Sequence, residues 1–301
     1  MLASKLNQGF PRAMRDQADG LRRLLDRQGL RIVRLSSAAG SGGKTGAVLN
    51  LAAALAELGR DVLIIDENPA AHGVTAALGL KARFDLDDVI GRKRDLEEVL
   101  VRGPAGIMIL PITRGAAALA QMQAREQQWL VDRFSRLSTP VDTLLVDAAE
   151  GSVSTPLWPG IAAQEVIVLS GGSANAITSG YGLIKRLNVE FGRREFRLLV
   201  SDVSDEAEAR QIFGNMAGVA RRYLQVTLDF MGHVPADKQL QQAARLRQPV
   251  VAAFPKAVAA GSFRKLALAI TGWPQAQENA SGLDEFMRCL IDSSRLRAVA
   301  A

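Results

Sequence analysis

The sequence predicts an α/β fold: a doubly wound, mostly parallel sheet with helices on both faces. Three observations predict it. Strand-like apolar runs alternate with helical stretches through about residue 270, several of these runs are continuously apolar, and a glycine-rich loop joins the first run to the first helix. Continuous apolar runs are typical of strands covered on both faces, which favours parallel pairing. The strand-like runs are 31–35, 62–66, 107–110, 143–147, 166–169, 196–200 and 226–234.

The first helix of this domain has the clearest helical spacing. Val48, Leu51, Ala52 and Leu55 recur at i, i+3, i+4 and i+7, so they line one helix face. Gly59 follows the last of them and is a favourable residue for ending a helix. The pattern therefore predicts a helix that begins at the glycine-rich loop and ends before Gly59.

Two terminal segments lie outside this alternation. Residues 1–30 form an N-terminal arm with a predicted helix over about 12–27, and residues 31–273 form the central domain. A polar stretch follows Trp273, so residues 274–301 are predicted to be a linker and a C-terminal amphipathic helix at 283–296.

Composition excludes several classes of protein. The 301 residues are 48% hydrophobic and 23% charged, a globular balance that excludes wholesale disorder. No apolar run approaches the roughly 18–20 residues that span a bilayer, and the N-terminus lacks the apolar stretch of a secretory signal. The single cysteine, Cys289, cannot form an internal disulfide. These features predict a cytoplasmic protein.

The net charge of +6 is unevenly distributed. Residues 1–30 hold six basic and three acidic side chains, so this segment carries half of the chain's net positive charge. A basic excess of this kind is typical of a solvated helix face; the alternative is attraction to an acidic partner, a lipid surface or nucleic acid. Nucleic acid is the least favoured partner because the other basic residues are dispersed and no reading motif is evident.

The glycine-rich loop is the strongest chemical signal. Its position between a strand and a helix is the context of a phosphate-binding loop, although Ala38 stands where the strict pattern has its first glycine. Backbone N–H groups and the helix N-terminus would contact phosphate oxygens, and the lysine would neutralise their charge. The predicted contacts are Gly40, Ser41, Gly42, Gly43, Lys44 and Thr45. A glycine-rich turn that binds no ligand is the alternative.

Two carboxylates end predicted strands on the same side of the sheet. Asp66 follows VLII and Asp147 follows TLLV, so both would project near the loop at the carboxyl edge. With the Thr45 hydroxyl they form a predicted Mg²⁺ site. Either aspartate could instead cap a helix. His72 and His233 have no ligand-spaced neighbours, which gives a histidine metal site little support.

These motifs, in this order, resemble the MinD/ParA class of P-loop ATPases, and within it the branch of flagellar-number regulators. The resemblance covers nearly the whole chain and rests on the loop, on the acids at strand ends, and on several short motifs. These motifs are Asp16-Gln17-Ala18 with Leu21-Arg22, Leu78-Gly79-Leu80, Ala176-Ile177-Thr178, Val234-Pro235-Ala236-Asp237, and the run from Arg245 to Val250.

The resemblance implies ATP and Mg²⁺ as ligands, with Lys44, Asp66 and Asn68 at the catalytic positions. It also implies an ATP-dependent homodimer. Through an N-terminal D-Q-A-x-x-L-R element, members of this branch stimulate a signal-recognition-type GTPase that places the flagellum. The residues carried over to this partner contact are Asp16, Gln17, Ala18, Leu21 and Arg22. The arm's helix could instead pack against its own domain.

Four departures from the family concern the nucleotide site, one of them Gly172-Ser173-Ala174 in place of a proline-glutamate-proline stretch. The signature lysine that reaches the other subunit's phosphates falls at Ala39, and the aspartate that orients the attacking water falls at Asn68. The asparagine that contacts adenine falls at Ser201. An amide is not an effective base, and base assistance is worth roughly 10²–10⁴-fold. We therefore expect weak or slow ATP hydrolysis. The alternatives are a pseudo-ATPase interaction scaffold and, less favoured, a DNA-partitioning ATPase.

The resemblance also implies that the C-terminal helix docks reversibly on the inner membrane. Its apolar face consists of Leu283, Phe286, Met287, Leu290 and Ile291. The other positions carry both acidic and basic residues, whereas an interfacial helix usually has a more basic polar face. Packing against the rest of the protein is the alternative.

Overall fold

Eight strands form one sheet in the computed structural model, which describes residues 30–38, 43–69, 71–137, 140–149, 165–273 and 282–298. The sheet order is β3-β4-β2-β5-β1-β6-β7-β8, and every neighbouring pair is parallel except β3 with β4. The strands are β1 (Arg31–Ser37), β2 (Val62–Asp66), β3 (Val101–Arg102), β4 (Met108–Pro111), β5 (Thr143–Asp147), β6 (Glu165–Gly171), β7 (Glu195–Val203) and β8 (Thr227–Pro235).

Helices connect the strands and cover both faces of the sheet. They are α1 (Lys44–Glu57), α2 (Val74–Ala77), α3 (Leu86–Ile90), α4 (Leu96–Val99), α5 (Gly115–Gln121), α6 (Ala124–Ser135), α7 (Ala174–Phe191), α8 (Glu206–Leu224), α9 (Lys238–Arg245), α10 (Val250–Ala253), α11 (Val258–Gly272) and α12 (Leu283–Ala298). A 3₁₀ turn at Pro104–Gly106 precedes β4.

Two apolar clusters lie on opposite faces of the sheet. Because successive strand residues point to opposite faces, Val33 and Leu35 join one cluster while Ile32 joins the other. The cluster of Val33 also contains α1 and α11, and the cluster of Ile32 contains residues of α6, α7 and α8. This arrangement confirms the predicted doubly wound, mostly parallel α/β fold.

The C-terminal helix α12 is part of the second cluster. Phe286, Met287, Leu290 and Ile291 are at most 4% exposed and Leu283 packs beside them, against the face formed by α5 and α6. The structure thus has the packed alternative, and these side chains are not available to a membrane in this conformation. Within the described ranges, no helix is both long and apolar enough to cross a bilayer.

The strand predictions agree closely with the structure except at one edge. The predicted runs 62–66 and 143–147 match β2 and β5 at both ends, and α1 ends just before Gly59. β3 was not predicted because it has only two residues and pairs antiparallel with β4. The predicted helix over 12–27 lies outside the described residues.

Candidate functional site

The carboxyl ends of three neighbouring strands form the floor of the site. β5 lies between β1 and β2, and the register places Asp147 opposite both Leu35 and Asp66. α1 begins after β1 at the same edge. The topology therefore brings both strand-end aspartates to the N-terminus of α1, where open α/β sheets bind ligands.

The start of α1 supplies a cation and a hydroxyl. Gly43, which precedes the helix, has a φ of 78°, a left-handed conformation that favours glycine. The Lys44 ammonium group is fully buried and forms an ion pair with Asp147 Oδ1. Thr45 Oγ1 donates a hydrogen bond of 2.8 Å to Asp147 Oδ2. The first two helical side chains thus converge on one carboxylate.

Asn68 joins the two aspartates. Its side-chain nitrogen donates to Asp66 Oδ1 at 3.1 Å and to Asp147 Oδ2 at 2.8 Å, and it also lies 3.1 Å from the Asp147 carbonyl oxygen. Asn68 is only 6% exposed. Its amide hydrogens are directed at protein oxygens, so in this conformation the amide group positions the two acids rather than a water molecule.

The second oxygen of Asp66 holds the beginning of α2. Val74 N donates to Asp66 Oδ2 at 2.7 Å. Gly73 lies so close to this carboxylate that a Cβ atom there would overlap it. A side chain at this position would therefore have to displace the Asp66 carboxylate, which lies against the segment that begins α2.

Burial dominates the electrostatics of these acids. It raises the pKa of Asp147 to about 6, although Lys44 and Thr45 favour the ionised form. Burial also raises the pKa of Asp66, against the hydrogen bonds from Asn68 and Val74. Each carboxylate is therefore held in its charged form at a cost, which a further cation would reduce.

Glu67 lies between the two site residues in sequence but belongs to a separate contact. Arg34 donates two hydrogen bonds to it, at 2.6 and 2.9 Å, and Ala149 N donates a third at 3.1 Å. Because this ion pair is almost completely buried, the Glu67 charge is compensated and does not enter the site.

Two cavities open beside the start of α1. One, of about 520 Å³, is lined by Gly43, Thr45, Asn68 and His72 among others. The other, of about 380 Å³, lies between α1 and the ends of β7 and β8, and Ser201 and Asp202 are in its wall. The remaining lining residues of the second cavity are mostly apolar: Leu169, Val234, Pro235, Leu240 and Phe263.

The structure brings together most of the predicted nucleotide-site residues that it describes. Lys44, Thr45, Asp66, Asn68 and Asp147 form one connected group, and Ser201 lies in the wall of the adjoining apolar cavity. Their ligand-binding roles remain predictions. Gly40, Ser41 and Gly42 fall outside the described residues, as do Ala39 and the arm residues Asp16, Gln17, Ala18, Leu21 and Arg22.

Sequence reasoning did not indicate Asp202 or His72 as residues of the cavities. Asp202 lines the apolar cavity with a φ of 57°, an uncommon conformation for a residue other than glycine. It directly follows Ser201, so the end of the sixth predicted strand could have indicated it. His72 lines the cavity that contains Thr45, and no spacing in the sequence pointed to it. In the described part of the chain, no three His, Cys, Asp or Glu side chains cluster as a metal site.

The fold is that of the MinD/ParA class of P-loop proteins. A solved structure of the MinD cell division protein from Aquifex aeolicus superposes with a TM-score of 0.61 at 20% identity, covering 81% of this chain and 98% of that one. The septum site-determining protein MinD of Pyrococcus horikoshii, solved with Mg-ADP, gives a TM-score of 0.57 at 20% identity and covers 81% and 96%.

A closer sequence relative identifies the family within this class. The antiactivator FleN of Pseudomonas aeruginosa is 32% identical over 262 residues, which cover 87% of this chain and 94% of that protein. No protein-family profile matches the chain. The chain belongs to the FleN family of MinD/ParA-class ATPases.

Proposed function

We propose that this protein is an ATP- and Mg²⁺-binding regulator of flagellar number or placement that hydrolyses ATP slowly. One observation carries the nucleotide-binding part: Lys44, Thr45 and the carboxylates of Asp66 and Asp147 meet at the N-terminus of α1 beside two cavities. The regulatory part rests on the relation to an antiactivator, FleN.

The residues present fit a magnesium nucleotide. Mg²⁺ prefers oxygen ligands and is usually bound by one or two carboxylates together with substrate phosphates. Thr45, Asp66 and Asp147 provide such oxygens, and Mg²⁺ would supply positive charge to the phosphates. Lys44 would contact the phosphates once its contact with Asp147 is exchanged, and the N–H groups at the start of α1 would donate to phosphate oxygens. The apolar cavity beside Ser201 would receive the nucleoside.

Slow turnover is supported by two residue identities. Asn68 stands where the family has an aspartate, and its amide is already bonded to Asp66 and Asp147. Ala39 stands where the family has the lysine that reaches across the dimer. A charge-assisted phosphate contact is about twice as strong as a neutral one, so its loss weakens the stabilisation of the reacting phosphates.

The regulatory role includes three further proposals that follow from the family. The N-terminal arm would stimulate a signal-recognition-type GTPase through Gln17 and Arg22, and the nucleotide would promote a homodimer. The protein would be cytoplasmic and would contact the inner membrane or the cell pole reversibly. Membrane contact through Phe286 and its neighbours requires α12 to leave the core first, because these side chains are buried against α5 and α6.

Isothermal titration of ATP with Mg²⁺ tests the nucleotide site. We expect the wild type and Thr45→Ser, which keeps the hydroxyl group, to bind, and Thr45→Ala to bind at least about tenfold more weakly. Lys44→Ala should abolish binding, and its thermal unfolding must be measured because it leaves Asp147 buried without its cation. Equal affinity of wild type, Thr45→Ala and a folded Lys44→Ala would refute the proposed site.

A pseudo-ATPase scaffold is the second candidate, and the engaged amide of Asn68 favours it. In that case Lys44→Ala would leave stimulation of the GTPase intact, whereas substitution of Gln17 or Arg22 would remove it. A GTPase assay with these variants separates the two candidates. Loss of stimulation in Lys44→Ala alone would support the nucleotide-dependent regulator.

A further inference from the structure

A third cavity lies at the β3 edge of the sheet, and none of its lining residues lines the two cavities beside α1. Its volume is about 480 Å³. One wall is the segment 81–84, which follows α2, and the other is 98–102, which includes the end of α4 and all of β3. The role proposed above for the chain uses none of these residues.

Three cations line this cavity. Lys81, Arg83 and Arg102 are all exposed. Across the residues that the structure describes, none of the three forms an ion pair or a side-chain hydrogen bond. Charged side chains that point to a shared concavity repel one another, and an anion placed between them relieves this repulsion.

The acidic residue in the lining is already engaged. Glu98 Oε2 accepts a hydrogen bond of 3.0 Å from Asp95 N, and Glu98 Oε1 lies 3.4 Å from Arg94. Arg94 also stacks on the Phe84 ring at 4.5 Å. Glu98 is therefore compensated by Arg94, and the three remaining cations leave the cavity positively charged.

Apolar groups form the rest of the lining. Val99 and Leu100 are buried, and Phe84 and Val101 are half-buried. A small inorganic anion would leave this apolar surface unused, whereas a peptide can place a carboxylate and an apolar side chain in the same cavity. β3 is the last strand of the sheet among those described, and an edge strand can pair with an extended peptide.

We propose that this cavity, formed by Lys81, Arg83, Phe84 and 98–102, binds an extended acidic segment of a partner protein. Carboxylates of that segment would contact Lys81, Arg83 and Arg102, and an apolar side chain between them would cover Phe84 and Val101. The chain's own segments outside the described residues are not acidic enough to be this ligand. Residues 1–29 are basic overall, and 150–164 and 274–281 each contain one acidic residue.

Fluorescence anisotropy with the full-length protein tests the proposal. The probe is a labelled peptide of about eight residues that alternates glutamate and leucine, so that one face is acidic and the other apolar. We expect saturable binding that weakens as salt is added, and at least about a tenfold loss of affinity in Arg83→Ala/Arg102→Ala. A glutamine–leucine peptide of the same length should bind as weakly as that double variant does.

The matched control is Arg221→Ala/Arg222→Ala, which removes the same charge from exposed positions on α8. We expect it to bind the acidic peptide within about twofold of the wild type. Equal weakening in both double variants would overturn the proposal, since it would reduce the effect to net charge. Tighter, Arg83- and Arg102-dependent binding of a DNA duplex or of anionic lipid vesicles would also overturn it and assign the cavity to that ligand.

Discussion

Replacement of Asn68 by aspartate is the most informative single change in the candidate nucleotide site. The Asn68 amide donates to Asp66 at 3.1 Å and to Asp147 at 2.8 Å. Asn68→Asp removes both donated hydrogen bonds and adds a third carboxylate against two whose pKa values are already raised by burial. We therefore expect the variant to be destabilised by an amount that depends strongly on pH.

The magnitude follows from the contact distances. Two like charges about 3 Å apart repel by about 5 kcal/mol at an effective dielectric constant of about 20. At neutral pH, protonation of an ordinary aspartate costs about 4 kcal/mol, so the new side chain takes up a proton instead. The neutral carboxyl group donates one hydrogen bond in place of two, which adds about 1 kcal/mol. The expected loss of unfolding free energy is about 5 kcal/mol near pH 7 and about 3 kcal/mol near pH 5, because the protonation cost decreases.

Urea unfolding of wild type and Asn68→Asp at both pH values measures this loss. Asn68→Ala is the matched control because it removes the same hydrogen bonds without adding a charge, so its effect should change much less with pH. If Asn68→Asp were as stable as wild type at neutral pH, or lost stability equally at both pH values, the argument that Asn68 keeps Asp66 and Asp147 together would be wrong.

Three further predictions follow from contacts described above. Gly73→Ala should lower the unfolding free energy by about 1–3 kcal/mol in urea titrations, because the new methyl group would overlap Asp66; no change would refute the close approach. Met287→Ala should cost about 2–5 kcal/mol in the same assay, since Met287 is fully buried; a much smaller effect would mean that α12 is not packed in solution. The pKa of Asp147 is about 6, so a proton should displace the metal below that value. Titrations from about pH 5 to about pH 8 should therefore show Mg²⁺–ATP affinity that is constant at the upper end and falls by up to tenfold per unit below about pH 6, and a flat profile would contradict this.

Sequence patterns predicted the interior of the sheet and missed its edge. Central strands such as 62–66 are covered on both faces, so their apolar runs are continuous and their ends are sharp. β3 contains Val101 and Arg102 alone, too short for any periodicity, and only its pairing with β4 makes it a strand. The surface that the apolar face of the C-terminal helix contacts was also undetermined. An amphipathic pattern has the same form whether that face meets a membrane or a protein core.

The candidate site could be predicted where side chains follow directly from strand ends. Asp66 and Asp147 were predicted together because parallel strands end at one edge of the sheet. The contacts of Asn68 could not be predicted, since they depend on how the chain turns back after β2. His72 and Asp202 reach the cavities through loop geometry, including the left-handed backbone at Asp202. Such loop conformations have no periodic signal in a sequence.

The hydrogen bond from Val74 to Asp66 has a mechanical consequence. The same carboxylate that would face a metal ion also anchors the first residue of α2, and seven residues later the chain reaches Lys81 in the basic cavity. If that carboxylate rotates, its hydrogen bond to Val74 N either breaks or is kept by a movement of the start of α2. The segment from Gly73 to Lys81 thus connects the candidate nucleotide site directly to the cavity at the β3 edge.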